Sequence, residues 1–126
     1  MTNYLECEPF LDDLKNPLDQ SRNVQHIVSY QTPVTIALHT INEHNEIDPP
    51  VFTTRMLLAE TQSFSGEDLV DQFICPCENC NNEVAVFYCE TNEDRTHAMY
   101  IMVNVDYVQS SSLITYTKKL SRNNNM

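Results

Sequence analysis

Four of the five cysteines fall within "FICPCENCNNEVAVFYC", residues 73–89. Clustered thiols hold metals, pair as disulfides or fill a core, and their spacing helps to choose. Cys75, Cys77, Cys80 and Cys89 read C-x-C-x2-C-x8-C. Cys77 and Cys80 have the knuckle spacing that lets two thiolates reach one tetrahedral zinc. Pro76 and Glu78-Asn79 favour the tight turn this requires. Cys89 ends the strand-like run "EVAVFY" and could return to the knuckle across a hairpin, with His97 as the reserve ligand. The expected site is therefore one zinc on Cys75, Cys77, Cys80 and Cys89. The competing reading keeps Cys89 in a core and leaves the other thiols at the surface. A redox Cys-x-x-Cys should open a helix, and here a strand follows.

No other chemistry stands out. One glycine is too few for a phosphate-cradling loop, and neither G-x-S-x-G nor H-E-x-x-H occurs. Cys89 and His97 could form a nucleophile–base pair across a hairpin, but a structural thiol near an ordinary histidine is the simpler reading. His26, His39 and His44 show no partner in the sequence. Eighteen acids in 126 residues will form accidental carboxylate pairs, so none is assigned a catalytic role. The expectation is a protein that is not an enzyme.

The elements that must position these thiols are mostly β. "VTIALHT" puts Val34, Ile36 and Leu38 opposite Thr35, Ala37 and His39. "TTRMLLAET" puts Met56 and Leu58 opposite Arg55 and Leu57. "EVAVFYC" groups Val84, Val86 and Tyr88, and "HAMYIMVNV" groups Met99, Ile101, Val103 and Val105. "SLITYTK" is a further strand and "VQHIVSY" a weaker one. All are period-2 runs rich in β-branched and aromatic residues. "NEHNEIDPP" and "TNEDRT" are turn-prone linkers, the second a hairpin turn. "SGEDLVDQF" predicts one short helix, with Ser65 and Asp68 as a capping box and Leu69, Val70 and Phe73 inward. Gly66 is the sole glycine, so positive-φ turns should use Asn and Asp. The fold expected is an antiparallel sandwich or barrel, zinc-stabilised, spanning residues 23–117.

Residues 1–22 form an acidic, apolar arm. Phe10, Leu14 and Leu18 sit four apart and would line one face of a short helix, broken by Pro17. Such a segment can be a partner-binding motif or pack on the protein's own sheet. Residues 118–126 form a polar tail with Lys118, Lys119 and Arg122.

Charge and compartment set the partners. The net charge is −11, and residues 23–117 carry thirteen acids against Arg55 and Arg95 alone. That field attracts basic proteins and repels phosphate backbones, so direct nucleic-acid binding is not expected. No run is long enough to cross a membrane, and no signal peptide is visible. An odd cysteine count argues against a disulfide framework. The expected location is cytoplasmic or nuclear, and a homo-oligomer is compatible with the sequence.

The order "TPVTIALHT", "TTRMLLAET", "CPCENC", "EVAVFYCETNEDRTHAMYIMV" and "SLITYTK" resembles part of the DNA-binding core of the p-fifty-three tumour-suppressor family. That resemblance implies an immunoglobulin-like β-sandwich holding one zinc. Cys75-Pro76 match the start of the family's zinc turn, whereas Glu78 stands where the family has a His ligand. "FLDDL" resembles a transactivation segment. The family's later zinc cysteines and its DNA-reading segment have no counterpart in the chain, so no DNA contact carries over. Two functions follow as expectations: a regulatory protein-interaction module with an acidic surface, or a diverged transcription regulator that needs a partner to bind DNA.

Overall fold

The computed structural model describes residues 14–76 and 82–112. Eight strands run in chain order: β1 (Val24–Val28), β2 (Pro33–Ile41), β3 (Ile47–Leu57), β4 (Gln62–Ser65), β5 (Leu69–Ile74), β6 (Glu83–Thr91), β7 (His97–Asn104) and β8 (Val108–Ser112). All pairings are antiparallel. β4-β1-β8 form a three-stranded sheet, and β3-β2-β7-β6-β5 form a five-stranded one. Among the described residues, no helix is long and apolar enough to cross a membrane.

Strict alternation builds the two faces. Val34, Leu69, Ala85, Phe87, Ile101 and Val103 of the large sheet join Val28 and Phe64 of the small one in one core. Phe64 of β4 stacks on Phe87 of β6, with ring centroids 4.7 Å apart and planes 10° apart. Such a pair adds about 0.5–1.5 kcal/mol beyond the area it buries, and here it ties sheet to sheet. The other face of the large sheet carries Phe73, Val86, Ala98 and Tyr100. Edge-on ring contacts between Tyr100 and both His39 and Tyr88 pack it. Burial raises the Tyr100 phenol above its ordinary pKa, and neighbouring Tyr88 adds to that.

The histidines without an evident partner find theirs in the fold. His26 is fully buried. Its Nε2 lies 2.8 Å from the Asp19 carbonyl and its Nδ1 2.6 Å from the Ser110 hydroxyl. A carbonyl only accepts, so Nε2–H donates to Asp19, and Nδ1 pairs with the Ser110 hydroxyl. His39 Nδ1 donates to the Asp48 carbonyl at 2.7 Å. Both rings bind strands together.

Several expectations need correction. The short helix over 65–73 is one 3-10 turn, Gly66–Asp68, followed directly by β5. Asp68 does accept the Ser65 N–H at 3.1 Å, as the capping pattern requires. Leu69 and Phe73 are buried, but Val70 is exposed, because it is the extra residue of a bulge between Leu69 and Asp71. "NEHNEIDPP" is not all linker: β3 begins at Ile47 and includes Pro49 and Pro50. Proline is tolerated there because β3 is an edge strand. Among the described residues, positive φ falls on Gln31, Asn45 and Arg95, so one of these three turns uses Asn or Asp. Gly66 is not among them. It is needed for space, since its Cα abuts the backbone of Gln20 and Ser21. The strand expected at 113–117 lies outside the described residues, whereas β8, with its polar "VQSSS", was not anticipated.

Candidate functional site

The cysteines separate. Cys75 sits where the β5–β6 ladder ends, its N–H bonded to the Asn82 carbonyl at 2.7 Å. Cys77 and Cys80 lie outside the described residues. Cys89 is seven residues beyond Asn82 along β6, on the order of 20 Å away at the rise of a strand. Zn–S bonds of about 2.3 Å require ligand sulfurs within about 4 Å of one another. One ion does not reach both Cys75 and Cys89. His97, the reserve ligand, opens β7 at the hairpin end shared with Cys89, also far from Cys75. Its Nδ1 lies 2.9 Å from the Thr96 hydroxyl. Among the described residues, no three His, Cys, Asp or Glu side chains converge on a metal position.

Cys89 is also a poor nucleophile. Burial, then the carboxylates of Glu90 and Asp68, push its thiol up to about 12. An activated cysteine needs the reverse environment. At neutral pH the thiol keeps its proton, so the Cys89–His97 pairing has no thiolate to use.

The arm residues also separate. Phe10 lies outside the described residues. Residues 14–20 are not helical. The Glu83 carboxylate accepts the N–H groups of Lys15 and Asn16, the latter at 3.0 Å. The Gln72 amide accepts from Leu18 N–H at 2.9 Å and donates to the Asn16 carbonyl at 2.8 Å. These side chains occupy backbone groups that a helix would need, and Leu18 packs on the main core. Leu14 is half-buried.

What the sequence did not reveal is a groove where the sheets mismatch. Five strands lie against three, so β4 leaves part of the large sheet's inner face open. The opening is about 540 Å³. Its floor includes Ile36, Met99, Ile101 and Cys89, and Phe64 and Leu58 form the β4 side. Glu60, Asp68 and Glu90 also line it, and no described Lys or Arg does. A bulge builds one wall. Tyr88 pairs with Tyr100 and Glu90 with Met99, leaving Cys89 as the extra residue. The bulge turns Glu90 to the same side as Cys89. Nearby, β3 exposes Val51, Phe52, Met56 and Leu57 along an edge that no described strand pairs. The signal for this surface was present in "VFTTRMLL", where apolar residues occur on both faces of one strand.

The chain matches no protein-family model, no curated protein and no solved structure.

Proposed function

We propose that this protein is a non-enzymatic regulatory interaction module that binds a basic protein partner. The observation that carries the reading is the β3 edge. Val51, Phe52 and Leu57 are each about three-fifths exposed on a sheet edge that no described strand pairs. Large apolar side chains grouped on a strand edge mark a contact surface or an aggregation hazard, and an interaction module needs the first. The surrounding charge favours a cationic partner, since the described residues hold thirteen acids against Lys15, Arg22, Arg55 and Arg95. Arg22 is itself paired with Glu67 at 2.8 Å. A zinc at the β5–β6 turn, on Cys75, Cys77 and Cys80, would staple the module, and Cys75 at the closing step of the ladder supports that placement. A cytoplasmic or nuclear setting suits these thiols.

The alternative, a diverged p-fifty-three-like transcription regulator needing a partner to bind DNA, draws support from the two antiparallel sheets. Its difficulty is cation supply, because each phosphate contact needs a donor or a positive charge.

Two measurements test the reading. Proteins co-purifying with the full chain should be enriched in basic sequences and should be lost when Phe52 and Leu57 become Ser, with melting unchanged. Retention of the same partners by that variant would remove the β3 edge from the proposal. Fluorescence anisotropy with duplex DNA at physiological salt should show no tight binding. Sub-micromolar binding by the isolated chain would promote the alternative.

A further inference from the structure

We propose that the open groove beside β4 takes an extended partner segment, alternately apolar and basic, as a fourth strand of the small sheet. This deepens the interaction reading and rests on it.

Backbone direction supports the first half. β4 pairs with β1 on one side and has no described strand on the other. Ser65 faces Gln25 and Ser63 faces Ile27 in that pairing. Ser65 gives its N–H to Asp68, on the groove side, so Gln25 and Ser65 are a non-hydrogen-bonded pair. Antiparallel pairs alternate, so Ile27 and Ser63 are non-hydrogen-bonded too. The Ser63 N–H and carbonyl therefore point away from β1, into the opening. They offer a rung to an added strand. The Ser63 hydroxyl is held by the Gln25 amide, which fixes the strand end.

The floor and rim supply the second half. A strand placed beside β4 would lie over Ile36 and Met99, half-buried inner-face residues next to buried Ile101. Its inward side chains must be apolar. Its remaining side chains meet Glu60, Asp68 and Glu90, with no described cation among the lining residues. Acidic side chains there would meet like charge, whereas Lys or Arg would find complementary charge. Period-2 alternation lets one segment satisfy both demands.

The test uses a displayed library of random twelve-residue peptides selected on the full chain. The best peptide is then synthesised and titrated. The expected winners alternate Val, Ile, Leu or Phe with Lys or Arg. Ser63→Pro removes the outward donor and spares the backbone bonds of the β1 ladder, losing only the Gln25 contact, which Ser63→Ala removes alone as the control. The alanine should not weaken the peptide, and the proline should weaken it at least tenfold. Glu60→Lys with Glu90→Lys, both exposed, should do the same if Ser63→Pro fails to fold. No enrichment, helical spacing or acidic winners would overturn the assignment, as would full affinity in a folded Ser63→Pro chain. If peptides bind only after Lys118→Glu with Lys119→Glu, the chain's own tail is the occupant. If peptide binding dissociates a dimer, a second copy is. Either result overturns the assignment to another protein. Failure here, with partners still lost from the Phe52 and Leu57 variant, would sink strand addition alone and leave the interaction reading intact.

Discussion

Gly66→Ala should destabilise the fold through crowding, not through backbone strain. Gly66 has no positive φ, so an alanine could adopt its conformation. Its added Cβ, however, would lie 2.7 Å from the Gln20 carbonyl carbon and 2.9 Å from that of Ser21, with the Ser21 oxygen nearer still. Carbon atoms settle at about 3.5–4.0 Å, so the two backbone segments must part by roughly 1 Å. The Ser21 carbonyl also accepts the Val24 N–H at 3.1 Å, at the entrance to β1. Moving it disturbs the central strand of the small sheet. Overpacking of this kind costs about 1–3 kcal/mol. The smaller conformational freedom of alanine in the unfolded chain offsets about 0.4–1 kcal/mol. A net loss of about 1–2 kcal/mol remains. At about 4 °C per kcal/mol for this chain length, Tm should fall by roughly 4–8 °C. Thermal and urea unfolding, read by circular dichroism, measure both. The urea midpoint should drop with an unchanged slope. An unchanged or higher Tm would show that the segments part freely and refute the crowding argument.

Three further predictions are independent of that one. Arg95 holds φ of 59° in the β6–β7 turn, so Arg95→Asn should raise stability by about 0.5–1 kcal/mol, measured by the same unfolding curves. The native Cys89 thiol keeps its proton up to about 12, whereas the unfolded thiol releases it near ~8.5. The unfolded state then binds fewer protons in that window, so stability is full below it and falls as pH rises through it. Cys89→Ala should lose less stability than the native chain over that range, and parallel curves would contradict the burial argument. Protein purified without chelator should carry one zinc per chain, lost in Cys77→Ser. A structural zinc of this kind contributes about 10–16 kcal/mol in small peptides at neutral pH, so chelation should loosen the β5–β6 turn, and metal-free protein with an unchanged fold would end the zinc proposal.

The strands were legible wherever β-branched and aromatic residues recur with period 2. β2 and β7 are interior strands buried on both faces, Val34 and Val103 on one and Ala37 and Tyr100 on the other, and their composition marked them rather than a polar face. β8 was invisible because "VQSSS" has little apolar pattern, and it is held by pairing with β1 and by the Ser110–His26 contact. The helix expected after Ser65 failed for a different reason. A capping pattern fixes only a first turn, and Leu69 and Phe73 suit strand pairing with β6 as well as a helix face. The four-cysteine site rested on a hairpin return, but the bulge at Cys89 lies far along β6, and sequence carries no ladder length. The groove depends on which strands share a sheet. That is decided by long-range pairing and leaves no local mark.

The middle strand of the small sheet has a consequence for how the molecule comes to exist. β1 lies between β4 and β8, pairing Gln25 with Ser65 but Val24 with Ser112. On a ribosome, one of its sides stays open until the distant residues of β8 have emerged. The hairpins β2–β3 and β6–β7 can close from neighbouring sequence, whereas the small sheet must wait and then join distant segments. Such closures are slow, because the entropy of a long loop is lost before contacts repay it. Until then Phe64, Phe87 and Val28 lack their final covering. Quality control would therefore meet this protein as a nearly complete large sheet with an uncovered apolar face, and its yield in cells should depend on how long that interval lasts.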